Sequence, residues 1–538
     1  MTDTVQVEIE RKYDIDGQAS LPRLNGVGGV AQVRYRPPMA LEAVYFDTAD
    51  RVLSANNVTL RRRTGGTDAG WHVKIGKGDR RIEMQSPLGS EELTVPRRIL
   101  DLVRVHVRGQ ALTQIARLTT LRSVVDLMDG QGHPLAEVSD DQVAAMSVGF
   151  RAESRVQHWR EWEVEVIDAG RVTSSSGGTE AFLDSVGQVL ETAGARVSAA
   201  GSKVEKVVGK TADPLDPRAP LAGQPDTAEH SGGRAPGVGA VLTATVRAQV
   251  RTLKGWDPLV RRNVEDSVHQ YRVSCRTLRS ILQTYAPLLD AEATGAVVKD
   301  LRKLGQLLSV ARDAEVVRDQ VAERLEALPG GATGPVAGMV PGKAVRRLRQ
   351  SQAKAYDVAH ARQLKRMRGE WYFEVLDRLD AFAREVPLSA ELTAAEESAA
   401  AEAMVPLAAE QVDAVLALAA AVGSEQEHEA RIEQMHQVRK EAKRLRYAVK
   451  AVQEATGLDL GTELVARMKT AKRLQEALGD HRDSVMFQEH VLATSRTAAA
   501  KGEDTFGYGV LFAAELATQS RTETEAEALV ERLAGRAS

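Results

Sequence analysis

The chain has 538 residues, more than one ordinary domain holds, so we expect two or three separate cores. Its 71 basic and 74 acidic side chains nearly cancel to a formal charge of −3, so net charge says nothing about a polyanionic partner. The single cysteine, Cys275, excludes an intrachain disulfide. The polar N-terminus lacks the order of a signal peptide, and the late apolar stretch 414–422 is too short for a bilayer. These features predict a cytoplasmic protein without a membrane partner.

The first 210 residues have the pattern of β-strands. Apolar and charged residues alternate over residues 5–13, 60–63, 71–75 and 162–167, which is the period of an extended chain. Charges occupy successive same-face positions in several of these strands, and their signs are segregated between strands. This pattern favours a sheet closed into a barrel with a polar lumen.

Carboxylates follow one another on one face of the first strand. Glu8, Glu10 and Lys12 lie two residues apart, so their side chains project to the same side. Adjacent carboxylates repel unless a cation lies between them, and hard divalent metals prefer oxygen ligands. Further carboxylates and basic groups complete the set: Glu137, Glu161, Glu163, Glu165, Arg61, Arg63, Lys74, Arg122 and Lys203. Each motif alone is more often a solvated strand face, but together they suit a triphosphate bound as its metal salt.

Residues 5–208 resemble a CYTH domain of the triphosphate tunnel metalloenzymes, through residues 7–12, 45–48, 60–63, 71–74 and 162–165. The resemblance implies an eight-stranded antiparallel tunnel that uses Mg²⁺ or Mn²⁺. It implies catalytic roles for Glu8, Glu10 and Lys12, and metal binding by Glu8, Glu10, Glu137, Glu163 and Glu165. It implies triphosphate binding by Lys12, Arg61, Arg63, Lys74, Arg122 and Lys203. Asp140 and Asp141 compete with Glu137, and we interpret His72 as structural.

The resemblance also implies a reaction class. Members with this residue set hydrolyse inorganic triphosphate or thiamine triphosphate, and some are adenylate cyclases. The implied mechanism is metal-assisted attack of water on a terminal phosphorus. We therefore predict a metal-dependent triphosphatase acting on inorganic triphosphate. Thiamine triphosphatase activity, adenylate cyclase activity and a non-catalytic polyphosphate-binding role are the alternatives.

The second half of the chain has helical spacing and an internal repeat. Residues 211–238 are rich in Pro, Gly and Asp without a period, which predicts a linker, and helices follow from 239 to 525. His269 and His436 are each followed by basic residues at +3, +7 and +10. The repeated basic positions are His269, Arg272, Arg276, Arg279, Lys299 and Arg302, then His436, Arg439, Lys443, Arg446, Lys469 and Lys472, and Lys440 lies close to the second set. Two pseudo-symmetric helical bundles are predicted.

The offsets place each basic set along one helix face. A stripe of like charge repels itself, and Glu441 is the only acid between His436 and Lys450. This favours an external polyanion, although an ordinary ion pair remains the alternative for any single basic residue. Metal ligation by the histidines is weaker, because no acid accompanies both copies at a consistent ligand spacing. We interpret Asp313 and Asp483 as caps or salt-bridge partners.

Residues 240–520 resemble a CHAD domain, a histidine-containing helical module often fused behind CYTH. The matching stretches are 269–279 with 301–313, and 436–447 with 469–483, although residues 478–480 depart from the first repeat. The resemblance implies a basic surface that binds inorganic polyphosphate. Nucleic acid is a less favoured partner, because the stripes hold few aromatic residues for base stacking.

These observations combine into one prediction for the whole chain. It is an α+β multidomain protein with a CYTH-like barrel in residues 1–210, a linker in 211–238 and a CHAD-like helical domain in 239–525. The barrel hydrolyses triphosphate, the helical domain binds polyphosphate, and the protein is associated with polyphosphate granules in the cytoplasm. The oligomeric state does not follow from the sequence.

Overall fold

A computed structural model describes residues 4–76, 78–89, 94–148, 156–212, 215, 237–394, 399–422, 427–459 and 461–537. The chain divides into two compact units, Met1–Gln224 and Pro225–Ser538. Most of the linker predicted at residues 211–238 lies outside the described residues, so its bounds stay a prediction.

The described part of the first unit contains one sheet. Its strands are β1 Thr4–Ile15, β2 Gln32–Tyr35, β3 Met39–Asp47, β4 Val58–Thr64, β5 Gly70–Ile75, β6 Arg80–Ser86, β7 Thr113–Met128, β8 Pro134–Ser147, β9 Val156–Val166 and β10 Arg196–Val197. Eight of them close in the order β1-β6-β5-β4-β3-β7-β8-β9, because β9 pairs back to β1. All pairs are antiparallel, β2 extends along β7, and β10 pairs with β1. The predicted eight-stranded antiparallel barrel is confirmed.

The helices of this unit are α1 Val52–Ala55, α2 Arg97–Val107, α3 Ala169–Ser176, α4 Thr179–Thr192 and α5 Lys203–Val208. Ile9 and Tyr13 of β1 point outward and are buried against α4, whereas the alternating Glu8 and Glu10 are buried in the lumen. A side chain at Gly187 of α4 would collide with the Tyr13 hydroxyl, so glycine is required there. Because the apolar core lies outside the sheet, the lumen is left to charged groups.

Helix α5 fills one end of the barrel. Its Val204 and Val207 pack against inward-facing apolar residues of β7 and β8, among them Leu118 and Val143. The helix begins after Ser202, whose hydroxyl accepts a hydrogen bond from the Glu205 N–H at 3.2 Å. The lumen therefore has an apolar, helix-filled end and a charged remainder.

The second unit is helical. Its helices are α6 Val238–Arg261, α7 Ser267–Thr284, α8 Ala291–Glu326, α9 Gly342–Arg366, α10 Glu370–Arg384, α11 Ala390–Ala394, α12 Ala400–Val422, α13 His428–Thr456, α14 Thr462–Ala499 and α15 Phe506–Ala537, with 3₁₀ turns at Ala286–Leu288 and Ala337–Met339. The two repeats lie on α7–α8 and α13–α14. Each repeat packs in the same order, α6 to α9 in the first and α12 to α15 in the second. The predicted helical domain is confirmed.

Helix α7 has an apolar face and a basic face. Tyr271, Cys275, Leu278 and Leu282 recur at helical spacing and are buried, which leaves the His269 side of the helix for the basic stripe. Burying each of the large apolar side chains contributes ~1.5–3 kcal/mol.

Helix α12 corrects one expectation. The stretch 414–422, which by itself is too short for a bilayer, is the end of a 23-residue helix that is long and apolar enough to cross a membrane by length and composition alone. Core helices pass the same test. Here Ala408 and Val412 are buried against Leu445 and Val449 of α13.

Candidate active site and basic surface

The charged part of the barrel lumen encloses a cavity of about 300 Å³. It is lined by all eleven barrel residues to which the resemblance assigns a role: Glu8, Glu10, Lys12, Arg61, Arg63, Lys74, Arg122, Glu137, Glu163, Glu165 and Lys203. Glu161, the twelfth residue of the charged set, does not line it. Positions separated by up to 195 residues are thus brought to one site. Their roles in binding and catalysis stay a proposal.

The two signs of charge occupy different arcs of the barrel. The carboxylates come from the adjacent strands β8, β9 and β1, namely Glu137, Glu163, Glu165, Glu8 and Glu10. Four cations come from strands on the other side, namely Lys74 of β5, Arg61 and Arg63 of β4, and Arg122 of β7. Lys12 of β1 lies within the carboxylate arc, and β6 adds one charge of each sign, Arg81 and Glu83. A ligand in the cavity therefore meets mainly oxygen donors on one side and mainly cations on the other.

Three carboxylates form a row across adjacent strands. Glu165 lies directly opposite Glu10 of β1 on one side and Glu137 of β8 on the other. Burial, then Glu8 and Glu10, raises the pKa of Glu165 to about 8. Glu165 has no hydrogen-bond or ion-pair partner among the described residues, and the buried Oε2 of Glu8 has no hydrogen-bond partner there. Lys74 pairs with the other oxygen of Glu8. The unpartnered oxygens of Glu165 and Glu8 are donors of the kind that a hard divalent cation prefers.

Glu10 differs from Glu165 because cations surround it. Its carboxylate lies 2.9 Å from Lys12 Nζ and 3.2 Å from Arg81 Nη1. Burial alone would raise the pKa of Glu10, but Lys12, Lys74 and Arg81 together lower it to about 2. Glu10 is therefore ionised over the physiological pH range, and its charge acts directly on Glu165.

A second carboxylate cluster already contains a cation. Oxygens of Asp141, Glu161 and Glu163 lie within 4.8 Å of one another, which is a spacing that a metal could use. Lys203 Nζ lies 2.9, 2.6 and 2.6 Å from these three groups. Lys206 Nζ also lies 2.6 Å from Glu161. This cluster therefore anchors α5 by its lysines, and the ammonium of Lys203 occupies the position that a metal would need.

The arginines of the basic arc differ in how closely carboxylates of the barrel pair with them. Arg122 donates two hydrogen bonds to Asp141 at 2.6 and 2.7 Å, and another to Glu163 at 2.7 Å. Arg61, by contrast, is 3.5 Å from the Tyr45 hydroxyl and 4.0 Å from Glu83.

Arg63 shows the effect of crowded positive charge. Arg63 pairs with Asp68, yet burial, then Arg61 and Arg122, lowers its pKa to about 9. An anion bound beside Arg61 and Arg63 would relieve this repulsion.

In the helical unit, the two basic stripes meet. Helix α7 packs against α13, so residues of one stripe influence residues of the other. Burial, then Arg276 of α7 with Arg439 and Arg446 of α13, lowers the pKa of Lys443 to about 7. Burial, Arg312 and Lys443 lower the pKa of His269 to about 4, against the opposing effect of Asp266. The repeats thus form one basic surface. Its positive charges are close enough together to disfavour the protonated forms of Lys443 and His269.

The stripe residues of α7 and α13 are partly buried. The basic residues beside the stripes are exposed, namely Lys299, Arg302, Lys440, Lys469 and Lys472. Arg302 lies close enough to Arg279 to lower its pKa, second to burial. Asp313 bonds Arg272 at 3.2 Å, and Asp483 favours the charged form of Lys443. The interpretation of these two aspartates as salt-bridge partners agrees with this geometry.

Family comparisons agree with both units. A CYTH domain model matches residues 6–188 and a CHAD domain model matches residues 244–492. Two uncharacterised proteins of Mycobacterium tuberculosis, from strains CDC 1551 and H37Rv, are each 36% identical over 535 residues, covering 98% of this chain and 96% of theirs. The chain is a CYTH–CHAD protein. Its N-terminal unit thereby belongs to the triphosphate tunnel metalloenzymes.

Solved structures resemble the protein only loosely. PptA from Streptomyces chartreusis is 19% identical, with a TM-score of 0.43 over 55% of this chain and 99% of that chain. The CHAD domain from Ricinus communis is 20% identical, with a TM-score of 0.41 over 57% of this chain and 96% of that chain. We take nothing about the sites from these two likenesses.

The CYTH cavity also contains charged residues that the sequence reasoning missed. Arg81 and Glu83 of β6 line it, and their alternation would have identified them by the rule used for β1. Arg36, 3.0 Å from Glu137, lies between strands and before two prolines, so alternation could not have found it. His72 is buried and bonded to Glu83 at 2.9 Å, but it does not line the cavity, in agreement with a structural role.

The choice between Glu137 and its competitors can be judged from position. Glu137 lines the CYTH cavity beside Glu165. Asp140 pairs with Arg160 at 2.6 Å and does not line the cavity, while Asp141 is held by Arg122 and Lys203. Glu137 is also paired, with Arg36, but of the three it is the one that lines the cavity, and its binding of a metal stays a proposal.

A second cavity of about 280 Å³ adjoins the first and shares Glu10, Lys12 and Lys74 with it. It extends along the loop that precedes α5, residues 197–202. Among the described residues that line the two cavities, Tyr45 is the only aromatic one. The site therefore offers charge and hydrogen bonds, with little surface on which a heterocycle could stack.

Proposed function

We propose that the CYTH barrel hydrolyses inorganic triphosphate with Mg²⁺ or Mn²⁺, and that the CHAD domain binds inorganic polyphosphate. The observation that carries this proposal is the single cavity in which a carboxylate arc faces a basic arc. Simple anion binding has no use for Glu8, Glu10, Glu137 and Glu165, whereas a metal–triphosphate complex needs both arcs.

The metal would be held by Glu8, Glu10, Glu165 and Glu137. Glu165 lies directly opposite both Glu10 and Glu137 on the neighbouring strands. Among the described residues, neither the Glu165 carboxylate nor the buried Oε2 of Glu8 has a hydrogen-bond partner. The resemblance implies that Glu163 is also a metal ligand, but three cations pair with it, Lys12, Lys203 and Arg122. Two cations pair with Glu10, and one each with Glu8 and Glu137. We assign Glu163 to positioning its three cations.

The basic residues would bind and orient the substrate. Lys12, Arg61, Arg63, Lys74 and Arg122 line the cavity from several strands, so they can hold oxygens of more than one phosphoryl group. When bound, the metal supplies charge neutralisation and a more acidic water. Developing negative charge on the phosphoryl oxygens is stabilised by Arg61, whose contacts with the Tyr45 hydroxyl and Glu83 are long, and by Arg63, which is repelled by Arg61 and Arg122.

The lining favours inorganic triphosphate over organic triphosphates. Thiamine triphosphate and ATP carry aromatic groups, which proteins usually hold on aromatic or apolar side chains. Tyr45 is the only aromatic residue among the described lining residues. Thiamine triphosphatase and adenylate cyclase activity therefore remain secondary candidates.

A phosphate-release assay on the full chain tests this choice. Inorganic triphosphate, thiamine triphosphate and ATP are compared at equal concentration, with Mg²⁺ and Mn²⁺ in turn, and ATP reactions are also analysed for cyclic AMP. We expect kcat/KM to be highest for inorganic triphosphate. A higher value for an organic substrate would overturn the substrate assignment, and no turnover of any substrate would favour the non-catalytic alternative.

The CHAD surface is suited to a long phosphate chain because the basic stripes of α7 and α13 adjoin. A flexible polyanion could contact both at once and relieve the mutual repulsion of Arg276 and Lys443. Nucleic acid is less favoured, since Tyr447, under Arg446 at 4.9 Å, is the only aromatic residue that the structure pairs with these stripes in the described part of the chain. Polyphosphate binding would also place the protein at polyphosphate granules in the cytoplasm.

The division of labour is tested with a fragment of residues 1–210 and the intact chain. We expect the fragment to retain triphosphatase activity and to lose affinity for long polyphosphate. Equal affinity of the two for long chains would show that the CHAD domain does not supply the binding. The corresponding activity measurement checks that the fragment is folded.

A further inference from the structure

Helices α8 and α9 border an open groove of about 910 Å³, whose lining includes none of the stripe residues of α7 and α13. Leu307 and Val310 of α8, with Ala355, Val358 and Ala359 of α9, supply its apolar surface. Val310 is 61% exposed and Val358 is 64% exposed. These are among the most exposed large apolar side chains of the described residues, and here two of them share one concave surface.

The groove has the geometry of a helix-binding surface. Its α8 residues recur at positions 303, 306, 307 and 310, and its α9 residues recur at 351, 354, 355, 358 and 362. Both sets follow the spacing of one helix face, so two adjacent helices present parallel ridges. A third helix could lie between them with an apolar face inward, as helices do in peptide-binding grooves.

The charge of the groove is entirely of one sign. Lys303, Lys354, Arg362 and Arg366 line it, and no acidic residue does so among the described residues. None of these four cations has an ion-pair partner in the described part of the chain. Arg366 lies over the ring of Trp371 at 5.2 Å, at one end of the groove. An apolar surface ringed by unneutralised cations is complementary to an occupant with apolar and acidic faces.

We propose that this groove binds an acidic amphipathic helix of another protein. A phosphate chain would use the cations but gain nothing from Leu307, Val310 and Val358. A single-stranded nucleic acid would need flat stacking surfaces, and only Trp371 offers one among the described lining residues. The inference rests on the α8–α9 groove alone and is independent of triphosphate hydrolysis and polyphosphate binding.

The test uses the full chain and a fluorescent synthetic peptide of about 18 residues, or five helical turns. Leucines at helical a and d positions form one face of the peptide, and glutamates occupy the remaining positions. A scrambled peptide of the same composition and a lysine-for-glutamate twin are the controls. Fluorescence anisotropy should show at least roughly tenfold tighter binding of the amphipathic acidic peptide than of either control, a difference of about 1.4 kcal/mol. Equal binding of the scrambled peptide would overturn the proposal, because it would reflect charge alone.

Substitutions then locate the binding. Val358→Asp and Val310→Asp should each weaken peptide binding at least roughly tenfold. The matched control is Val465→Asp, at a 37% exposed valine of α14 outside the groove, which should leave the affinity unchanged. All of these valines are exposed, and circular dichroism checks that the variants are folded. Undiminished binding by Val358→Asp and Val310→Asp would contradict the proposal.

Two further measurements separate other occupants. Sedimentation of the full chain alone should show no self-association that Val358→Asp abolishes, because such a loss would identify a second copy as the occupant. Vesicles containing anionic phospholipid should bind the wild type and Val358→Asp equally. A selective loss of vesicle binding in this variant would assign the groove to a lipid surface and overturn the proposal.

Discussion

Glu165 of β9 lies directly opposite Glu10 of β1, so two carboxylates face each other across one antiparallel pair in the barrel lumen. Like charges directly opposite destabilise a sheet. Lys12, Lys74 and Arg81 keep Glu10 ionised. The repulsion between the two carboxylates, together with burial, therefore disfavours ionisation of Glu165 and raises its pKa to about 8. A proton or a divalent cation would relieve the repulsion. We therefore expect the stability of the barrel to depend on pH and, if the proposed metal binds here, on metal.

The first prediction is that Glu165→Gln stabilises the metal-free protein at alkaline pH. The folded-state pKa of Glu165 lies above its ordinary value of 4.5, so its stabilising contribution is complete below pH 4.5 and is lost as pH rises through 8. Glutamine cannot lose a proton. In EDTA, the Tm of the variant should therefore exceed that of the wild type at pH 8.5, by roughly 2–4 °C for each kcal/mol regained.

Metal provides the complementary measurement for the same variant. Mn²⁺ or Mg²⁺ should raise the Tm of the wild type and raise that of Glu165→Gln much less, since a ligand of the folded state stabilises it in proportion to its binding. If Glu165→Gln lowered Tm at pH 8.5 and kept the full metal response, the carboxylate would be neither strained nor a ligand.

The second prediction distinguishes the anchoring cluster from a metal site. Glu161 is fully buried and is bonded by Lys203 and Lys206 of α5, so Glu161→Gln should destabilise the barrel by roughly 3–5 kcal/mol, as breaking a buried ion pair does. The metal-induced increase in Tm should persist. A loss of the metal response with unchanged metal-free stability would instead make the cluster of Asp141, Glu161 and Glu163 the metal site.

Much of the barrel site follows from alternation along strands. Glu8, Glu10 and Lys12 face one side because a strand has a period of two. The charges that several strands carry at same-face positions predict that this side is the lumen, and the three residues line the cavity there. The alternation of side chains does not predict which cation pairs with which carboxylate. Lys203 neutralises Asp141, Glu161 and Glu163 because α5 enters the barrel, and no strand pattern indicates that.

In the helical half, the sequence predicts the two repeats but not which of their helices pack against each other. The shared offsets after His269 and His436 predict two similar stripes, and α7 and α13 carry them. That these helices pack together depends on their apolar faces and on α6 and α12, which the repeat does not specify. The full length of α12 does not follow from the apolar run at 414–422, because Glu402, Glu410 and Asp413 interrupt the apolar sequence although one face of the helix is buried throughout.

The third prediction concerns the joined stripes. Arg276→Glu with Arg279→Glu should weaken binding of long polyphosphate sharply and reduce the slope of log affinity against log salt by about two. Arg272 is left intact because it pairs with Asp313. Arg349→Glu with Lys501→Glu, at exposed cations outside both stripes, is the charge-matched control. Unchanged affinity with a lower Tm would identify a structural ion-pair network.

The fourth prediction uses the lowered pKa of Lys443. Burial and neighbouring arginines hold this pKa to about 7, and a bound polyanion would raise it, so binding takes up a proton above pH 7. Polyphosphate affinity should therefore fall as pH rises from 7 to 9, by up to about tenfold per unit. Lys443→Arg keeps its charge throughout and should flatten the dependence. An identical pH profile in this variant would exclude Lys443 as its cause.

The fifth prediction tests the central claim, metal-dependent triphosphate hydrolysis at the carboxylate arc. Phosphate release from inorganic triphosphate is measured for the full chain, for Glu10→Gln and for the control Glu42→Gln at an exposed position of β3. Wild type and control should be inactive in EDTA and recover with Mg²⁺ or Mn²⁺. Glu10→Gln should lose at least roughly 100-fold in kcat, as expected when a transition-state interaction is removed, while retaining its circular dichroism spectrum. Wild-type kcat in Glu10→Gln, or full activity in EDTA, would contradict the account.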